Sequence, residues 1–380
     1  MHPFSFQRRC LLGAVSLRVA ACTLAALCAL PSWAATQEVT DALGRKVKVV
    51  QPVQRVALNF NFEEFTAVAG KEGWSKVVGI SRTIWEGWRP ANFKRYSAVI
   101  PNLASMPDFG TSDEGSFSAE KVISLKPDVL FMAEWTYKAS ETARQQIEAA
   151  GIPIVVIDYN AQQLERHLAS TRAMGKVMGT EARGEELATL YEREYNDVLR
   201  RVAQASAAPK KKVYIELGQA GPETIGNSYS GTMWGKIITT LGAINVADGK
   251  LPGPWGPVNQ EAVVADNPDV IFITGSSWLN KPKAVKAGYD FSPDVTRQSL
   301  QAYAQRPLWA GIKAVQTQQV HAIEAGLSRA LVDFVGLQYI AKQIYPDAFK
   351  DVDPEASYRQ YHAKYLPVPY AGTWMLGLKP

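Results

Sequence analysis

The stretch Ser118–Phe131, SAEKVISLKPDVLF, returns as Asn259–Phe272, NQEAVVADNPDVIF. A shift of 141 positions (259 − 118) sets Glu120 on Glu261, Val122 on Val263, Pro127 on Pro268, Asp128 on Asp269, Val129 on Val270 and Phe131 on Phe272. Ser118 and Asn259 both stand where a helix N-cap belongs. Each copy therefore reads as a capped short helix, a Pro-Asp turn and a buried strand. The same unit at equivalent places predicts two halves of similar build.

Around each copy, short apolar runs alternate with helix-patterned segments, as expected for the buried strands of a mainly parallel sheet. RVALNF (55–60), KVVGI (76–80), DVLFM (128–132) and IPIVVID (152–158) are the strands of the first half. KKKVYIEL (210–217), DVIFITG (269–275) and QQVHAI (318–323) are those of the second, with helices expected over 231–241 and 328–344. VTDALGRKVKVV (39–50), alternating about Gly44, predicts an opening hairpin. The fold class that follows is α/β: two Rossmann-like lobes with central mainly parallel sheets, joined by a long interlobe helix.

The joining segment has helical periodicity. Asn160 is placed to cap a helix with Gln163 at its third position and Leu164, Leu168, Thr171 and Val177 on one face, up to Gly179. A second helix follows from Glu181, with Leu187, Leu190, Tyr191, Val198 and Val202 three or four apart, and stops near AQASAAPKKK (203–212). End to end they amount to about 60 Å at 1.5 Å per residue, enough to run along two lobes. The expected boundaries are 1–34 for a signal peptide, 35–160 for the N-terminal lobe, 161–206 for the interlobe helical segment and 207–380 for the C-terminal lobe and tail.

The opening stretch carries Arg8, Arg9 and Arg18 ahead of an apolar run, Val19–Leu30, too short to span a bilayer, and then the small-x-small pattern of Ser32 and Ala34. It reads as an export signal cut after Ala34, giving a periplasmic protein. Twin-arginine export from Arg8-Arg9, and lipidation at Cys22, are the weaker readings of the same residues. Cleavage removes Cys10, Cys22 and Cys28, all the cysteines of the chain, so the mature protein rests on its core rather than on disulfides. It also removes three arginines and no acids, taking the formal charge from +5 to +2 (5 − 3). So small a charge does not imply nucleic acid or an anionic membrane as partner, and neither is expected.

A matched pair of α/β lobes places its ligand outside the carboxyl ends of the strands, in the cleft between them. Five motifs in order sharpen this: VTDALGRKVKVVQPVQRVALN (39–59), the two copies of the repeat, MWGKIITTLGAINVADG (233–249) and YIAKQIYPDAFKDVDPEASYRQYHAKYL (339–366). Together they resemble the periplasmic substrate-binding proteins of ABC importers for iron-siderophore complexes, haem and cobalamin, the class III, helical-backbone type. The likeness covers nearly all of the mature chain, and its long ending is similar to a branch that includes molybdate and tungstate binders. The resemblance implies two lobes on a rigid helix, a cleft that changes little on binding, and a monomer working with an inner-membrane ABC permease and its ATPase. It further implies that one glutamate per lobe, here Glu120 and Glu261, pairs with permease arginines. A carboxylate in the first turn of a helix is favourable in any case, but two at matched places suit a two-fold partner.

Ligand contacts are expected on loops after strands. SRTIWEGWRP (81–90) offers Arg82, Trp85 and Trp88, with Arg89 beside them, and AEWTYK (133–138) offers Trp135 and Tyr137. The second half offers Tyr229, Trp255, Trp278 and, in EAGLSRA (324–330), Arg329, while Trp234 and Trp309 are assigned to packing. Aromatic area with arginine forks suits a bulky anionic metal chelate, a ferric siderophore first, with haem, cobalamin or molybdate as alternatives and a secreted sensor or adaptor outside the class. An oxyanion asks for a small polar pocket, and haem for an iron ligand such as Tyr137 or Tyr229. His167, His321 and His362 lack the paired spacing of a metal site, so no metal bound by the protein itself and no cofactor are expected. There is no Gly-x-Ser-x-Gly elbow, no phosphate loop and no remaining cysteine nucleophile, so an enzyme is not expected.

Overall fold

Residues 35–205 and 209–379 are described in the computed structural model. The proposed export signal over 1–34, with its three cysteines, lies outside them. From Thr36 onward the chain forms one compact unit.

The opening strands β1 (Ala35–Thr40) and β2 (Lys46–Gln51) pair as a hairpin whose turn uses Gly44 at φ 76°. Asp41 organises that turn: its carboxylate accepts from the Leu43 and Arg45 amides, both at 3.0 Å, and from Val156 N–H at 3.2 Å. The Arg45 guanidinium returns to Asp41 at 2.7 Å and to the Ile154 carbonyl at 2.8 Å, so the hairpin is fastened to the sheet edge beside it.

That first sheet contains β3 (Val56–Leu58), β4 (Val77–Ile80), β5 (Val129–Ala133) and β6 (Ile154–Ile157), in the order β4-β3-β5-β6 and parallel throughout. The second half supplies β7 (Lys212–Leu217), β8 (Asn227–Tyr229), β9 (Ile244–Asn245), β10 (Trp255–Pro257), β11 (Val270–Gly275), β12 (Val320–Glu324) and β13 (Met375–Gly377). Its sheet runs β13-β12-β11-β7-β9, parallel except for the antiparallel edge β13. Strands β8 and β10 form a separate antiparallel ribbon in which Trp255 lies opposite Tyr229. The uninterrupted apolar runs of β5, β6 and β11 are explained by burial on both faces.

The repeat builds the same device twice. Ser118 Oγ accepts from Lys121 N–H at 3.2 Å ahead of helix Ala119–Ser124, and Asn259 Oδ1 from Glu261 N–H at 2.7 Å ahead of helix Gln260–Asp266. Each helix gives way to a left-handed residue before proline, Lys126 at φ 46° and Asn267 at φ 49°, and the proline keeps the helix from continuing. The aspartates then clamp the neighbouring strand. Asp128 accepts from the amides of Gln54 and Arg55 at 2.7 and 2.8 Å, and Asp269 from that of Lys212 at 2.8 Å. Pro-Asp is therefore a register pin joining β5 to β3 and β11 to β7.

The joining segment departs from expectation in two ways. Its first helix is Leu164–Met178, with Gln163 at the N-cap position but making no side-chain cap, and Asn160 does not cap it; the Asn160 carbonyl instead accepts from Met233 N–H and Thr232 Oγ, both at 3.2 Å. Its second helix, Glu181–Ala205, does not extend the first but folds back along it after Gly179 and Thr180, so the two lengths do not add. Gly175 and Gly184 permit the contact, since a Cβ on Gly175 would sit 3.0 Å from the Gly184 Cα. Helix Glu181–Ala205, 25 residues or about 37 Å, is by itself the strut. Near its start Arg183 donates to the Ala67 carbonyl of the first half, and near its end Arg201 pairs with Asp351 at 2.8 Å and donates to the Ala348 carbonyl at 2.9 Å in the second.

Candidate ligand-binding cleft

The carboxyl ends of the strands of both sheets converge on a cleft of about 620 Å³. The lining follows directly on the strands: Glu134, Trp135 and Lys138 after β5, Asp158, Asn160 and Arg166 after β6, Trp278 after β11, and Ala325 and Arg329 after β12. Tyr229 and Trp255 come from the β8–β10 ribbon, where directly opposed residues share a face. Of the nine residues expected to bind ligand, Trp88, Trp135, Tyr229, Trp255, Trp278 and Arg329 line this space.

Three do not. SRTIWEGW is not a loop but helix Arg82–Trp88. Helical periodicity turns Trp85 into the core, 2% exposed and stacked on Phe62 at 4.5 Å between ring centres, with Trp74 at 5.9 Å. Arg82 turns away and donates to the Ala104 carbonyl at 2.6 Å. Tyr137 lies on the outer side of the first sheet, its hydroxyl accepting from Arg45 at 2.7 Å and its ring covered by Arg45 and Arg144, each at 4.3 Å. Tyr137 is thereby removed as an iron ligand for haem, while Tyr229 remains in the cleft.

The floor is an aromatic platform that includes Phe60, a residue which in the sequence reads only as a strand end. Phe60 meets Trp135 edge-on at 4.6 Å and Trp88 at 6.3 Å. Above it lies Arg329, its guanidinium carbon 4.9 Å from the Trp88 ring and 5.8 Å from Phe60. Arg329 has no hydrogen-bond or ion-pair partner among the described residues. Burial holds it below the ordinary arginine value, and burial likewise raises the Tyr229 hydroxyl. A cation held on two ring faces with its N–H groups free is ready for an anionic oxygen.

The other charges at the wall are already matched. Arg166 pairs with Asp158 at 2.7 Å and with Glu134 at 3.8 Å, and Lys138 pairs with Glu134. Asp113 accepts from Trp135 Nε1 at 3.2 Å. Asn160 Oδ1 is buried without a partner.

A charged cluster beneath the platform ties the halves together. Arg89, from the first half, bonds Glu63 at 3.1 Å and Glu324, at the end of β12, at 3.3 Å. Glu324 also accepts from Gly326 N–H at 2.8 Å, and a Cβ at Gly326 would come within 2.8 Å of the Arg89 guanidinium carbon, so glycine is what lets the turn approach. Glu64 accepts from Leu331 N–H at 3.3 Å, and burial together with neighbouring Glu63 pushes its carboxyl up to about 7.

The histidines lie elsewhere. His167 is held by the Tyr159 carbonyl at 3.1 Å, His321 by the Tyr339 hydroxyl at 3.1 Å and His362 by the Val368 carbonyl at 3.0 Å, and burial pushes each of them down. Glu120 and Glu261 are both exposed, each in the first turn of its copy of the repeated helix, and neither carboxylate has a hydrogen bond or ion pair among the described residues.

Two mainly parallel sheets on one strut helix, with a cleft at their strand ends, define a clamp-type solute-binding protein. The model for the periplasmic binding protein family matches residues 67–326, and the chain belongs to that family. It is 36% identical to the TroA-like periplasmic binding protein FepB of Veillonella parvula, whose crystal structure superposes with a TM-score of 0.85 over 90% of this chain and 99% of that one. It is 26% identical over 355 residues to the molybdate-binding protein MolA of Haemophilus influenzae, covering 87% of this chain and 91% of the relative. It is 27% identical over 318 residues to the ABC transporter substrate-binding lipoprotein YvrC of Bacillus subtilis, covering 82% and 87%. Proteins of this family bind substrate for transport rather than catalyse, and work with a membrane permease and its ATPase. No described helix is long and apolar enough to cross a membrane.

Proposed function

We propose that this protein captures a metal chelate, a ferric siderophore, in the periplasm and delivers it to an inner-membrane ABC permease. The observation that carries the reading is Arg329, without a hydrogen-bond or ion-pair partner among the described residues, over Phe60 and Trp88 in a cleft of about 620 Å³ walled by Trp135, Tyr229, Trp255 and Trp278. A cleft of that size fits a ligand much larger than a tetrahedral oxyanion, and its aromatic walls supply contact area rather than converging donors. Likeness to a molybdate-binding relative over most of both chains favours molybdate as the second reading.

Glu120 and Glu261 are the proposed docking teeth, one on each copy of the repeated helix. Export through a cleaved signal over 1–34, and lobes over 35–160 and 207–380 joined by 161–206, belong to the same proposal. The test is quenching of tryptophan fluorescence in the purified mature protein, titrated with ferric hydroxamates, ferric catecholates, haem, cyanocobalamin and molybdate. Saturable quenching by a ferric chelate, with a dissociation constant of about 1 μM or below, is expected. Response to molybdate alone refutes the siderophore reading.

A further inference from the structure

Resting on that reading of the cargo, we infer that the cleft selects a chelate with a single acidic group and an otherwise uncharged surface, and rejects polyanionic complexes. The charged side chains of the lining are Lys138, Arg166 and Arg329 against Asp113, Glu134 and Asp158, three of each sign. Lys138 and Arg166 are held by Glu134 and Asp158, which leaves one free guanidinium. The layer beneath adds no further positive charge for an anion to use, since Arg89 is engaged by Glu63 and Glu324 with Glu64 beside them.

A complex bearing several negative charges finds one unpaired counter-charge at Arg329, while its remaining charges meet the carboxylate of Asp113 and ion pairs that are already closed. Enclosure by aromatic walls removes the water that a polyanion relies on, so each unmatched charge opposes binding. The same walls favour an uncharged surface, with Trp135, Tyr229, Trp255 and Trp278 offering ring faces and Met233 a thioether. The one unpaired cation therefore asks for one anion. A ferric trihydroxamate bearing one pendant carboxylate meets that demand, because the metal cancels its hydroxamate charges and the carboxylate supplies the single anion. A ferric triscatecholate keeps three negative charges and does not.

Calorimetric titration of the mature protein with four probes tests this: a neutral ferric trihydroxamate, its carboxylate-bearing analogue, a ferric triscatecholate and cyanocobalamin. The carboxylate-bearing trihydroxamate is expected to bind at least about tenfold more tightly than the triscatecholate. Glu134→Gln, which removes one wall carboxylate and frees Lys138, is expected to narrow that gap at least about threefold. Triscatecholate binding as tight as either trihydroxamate overturns the inference while leaving the ferric-chelate reading intact, and so does an unchanged gap in folded Glu134→Gln. Should the variant fail to fold, the ranking in the parent protein decides. Tight binding of cyanocobalamin alone, an uncharged molecule with one phosphate, upholds the charge rule and removes the siderophore, and binding of none of the four removes both.

Discussion

Replacing Trp255 by alanine probes the cleft with little disturbance of the fold, because its side chain is 57% exposed and so contributes little to the core. A tryptophan presents at most about 250 Å² of surface, so a fraction of this size leaves about 140 Å² open to solvent, and cargo pressed against one ring face covers about half of that. At 25 cal/mol per Å² the lost burial is about 1.8 kcal/mol, or roughly twentyfold in affinity. The melting temperature should stay at the parent value, since an exposed truncation costs within about 0.5 kcal/mol. Isothermal titration calorimetry with the best-binding ferric chelate is the assay, as it does not depend on the fluorophore being removed. Affinity within twofold of the parent, in a variant that melts normally, would show that cargo does not reach the β8–β10 ribbon and that the cleft is used in some other way.

Three further outcomes follow from the same geometry. Glu64 has a folded pKa of about 7 against an ordinary 4.5, raised first by burial. A raised folded value means that its contribution is fully present at low pH and is lost as pH rises through about 7, amounting to about 3 kcal/mol across that window. Glu64→Gln keeps an acceptor for Leu331 N–H but not the titration, so its stability relative to the parent should rise between about pH 5 and about pH 8 in urea melts, and parallel pH profiles would contradict the assignment. Trp85→Ala should destabilise by about 3 to 5 kcal/mol because its ring is packed in the core, and a stability within about 0.5 kcal/mol of the parent would return it to the list of cargo contacts. Reversing the charge of both Glu120 and Glu261 should abolish uptake in cells while leaving calorimetric affinity unchanged, and normal uptake would remove them as docking residues.

Much of the fold is legible because its signals are local. The hairpin about Gly44, the strand runs and the caps at Ser118 and Asn259 depend on residues within a few positions of one another. The repeat carries more than patterning, since Asp128 and Asp269 make the same clamp to a neighbouring strand in both halves. The joining helices are legible as helices, but their folding back depends on Gly175 meeting Gly184, a contact that periodicity does not express.

The cleft was only half legible, for a geometric reason. Trp135 and Tyr137 sit two residues apart on helix Glu134–Ala139, about 200° around its axis, so one faces the cleft and the other a core cluster on the far side. Trp85 and Trp88, three residues apart on helix Arg82–Trp88, lie within about 60° of one another, so it is the packing of Trp85 on Phe62 and Trp74, and not periodicity, that separates them. Composition and spacing alone determine that the chain makes two mainly parallel sheets, with aromatics and arginines after the strands, because strand, cap and turn preferences act over a few residues. Only the tertiary structure decides which rings face the gap and which arginine stays free. Both depend on partners from the other half of the chain, as when Glu324 meets Arg89, 235 positions away, while Arg329 five residues later meets only ring faces.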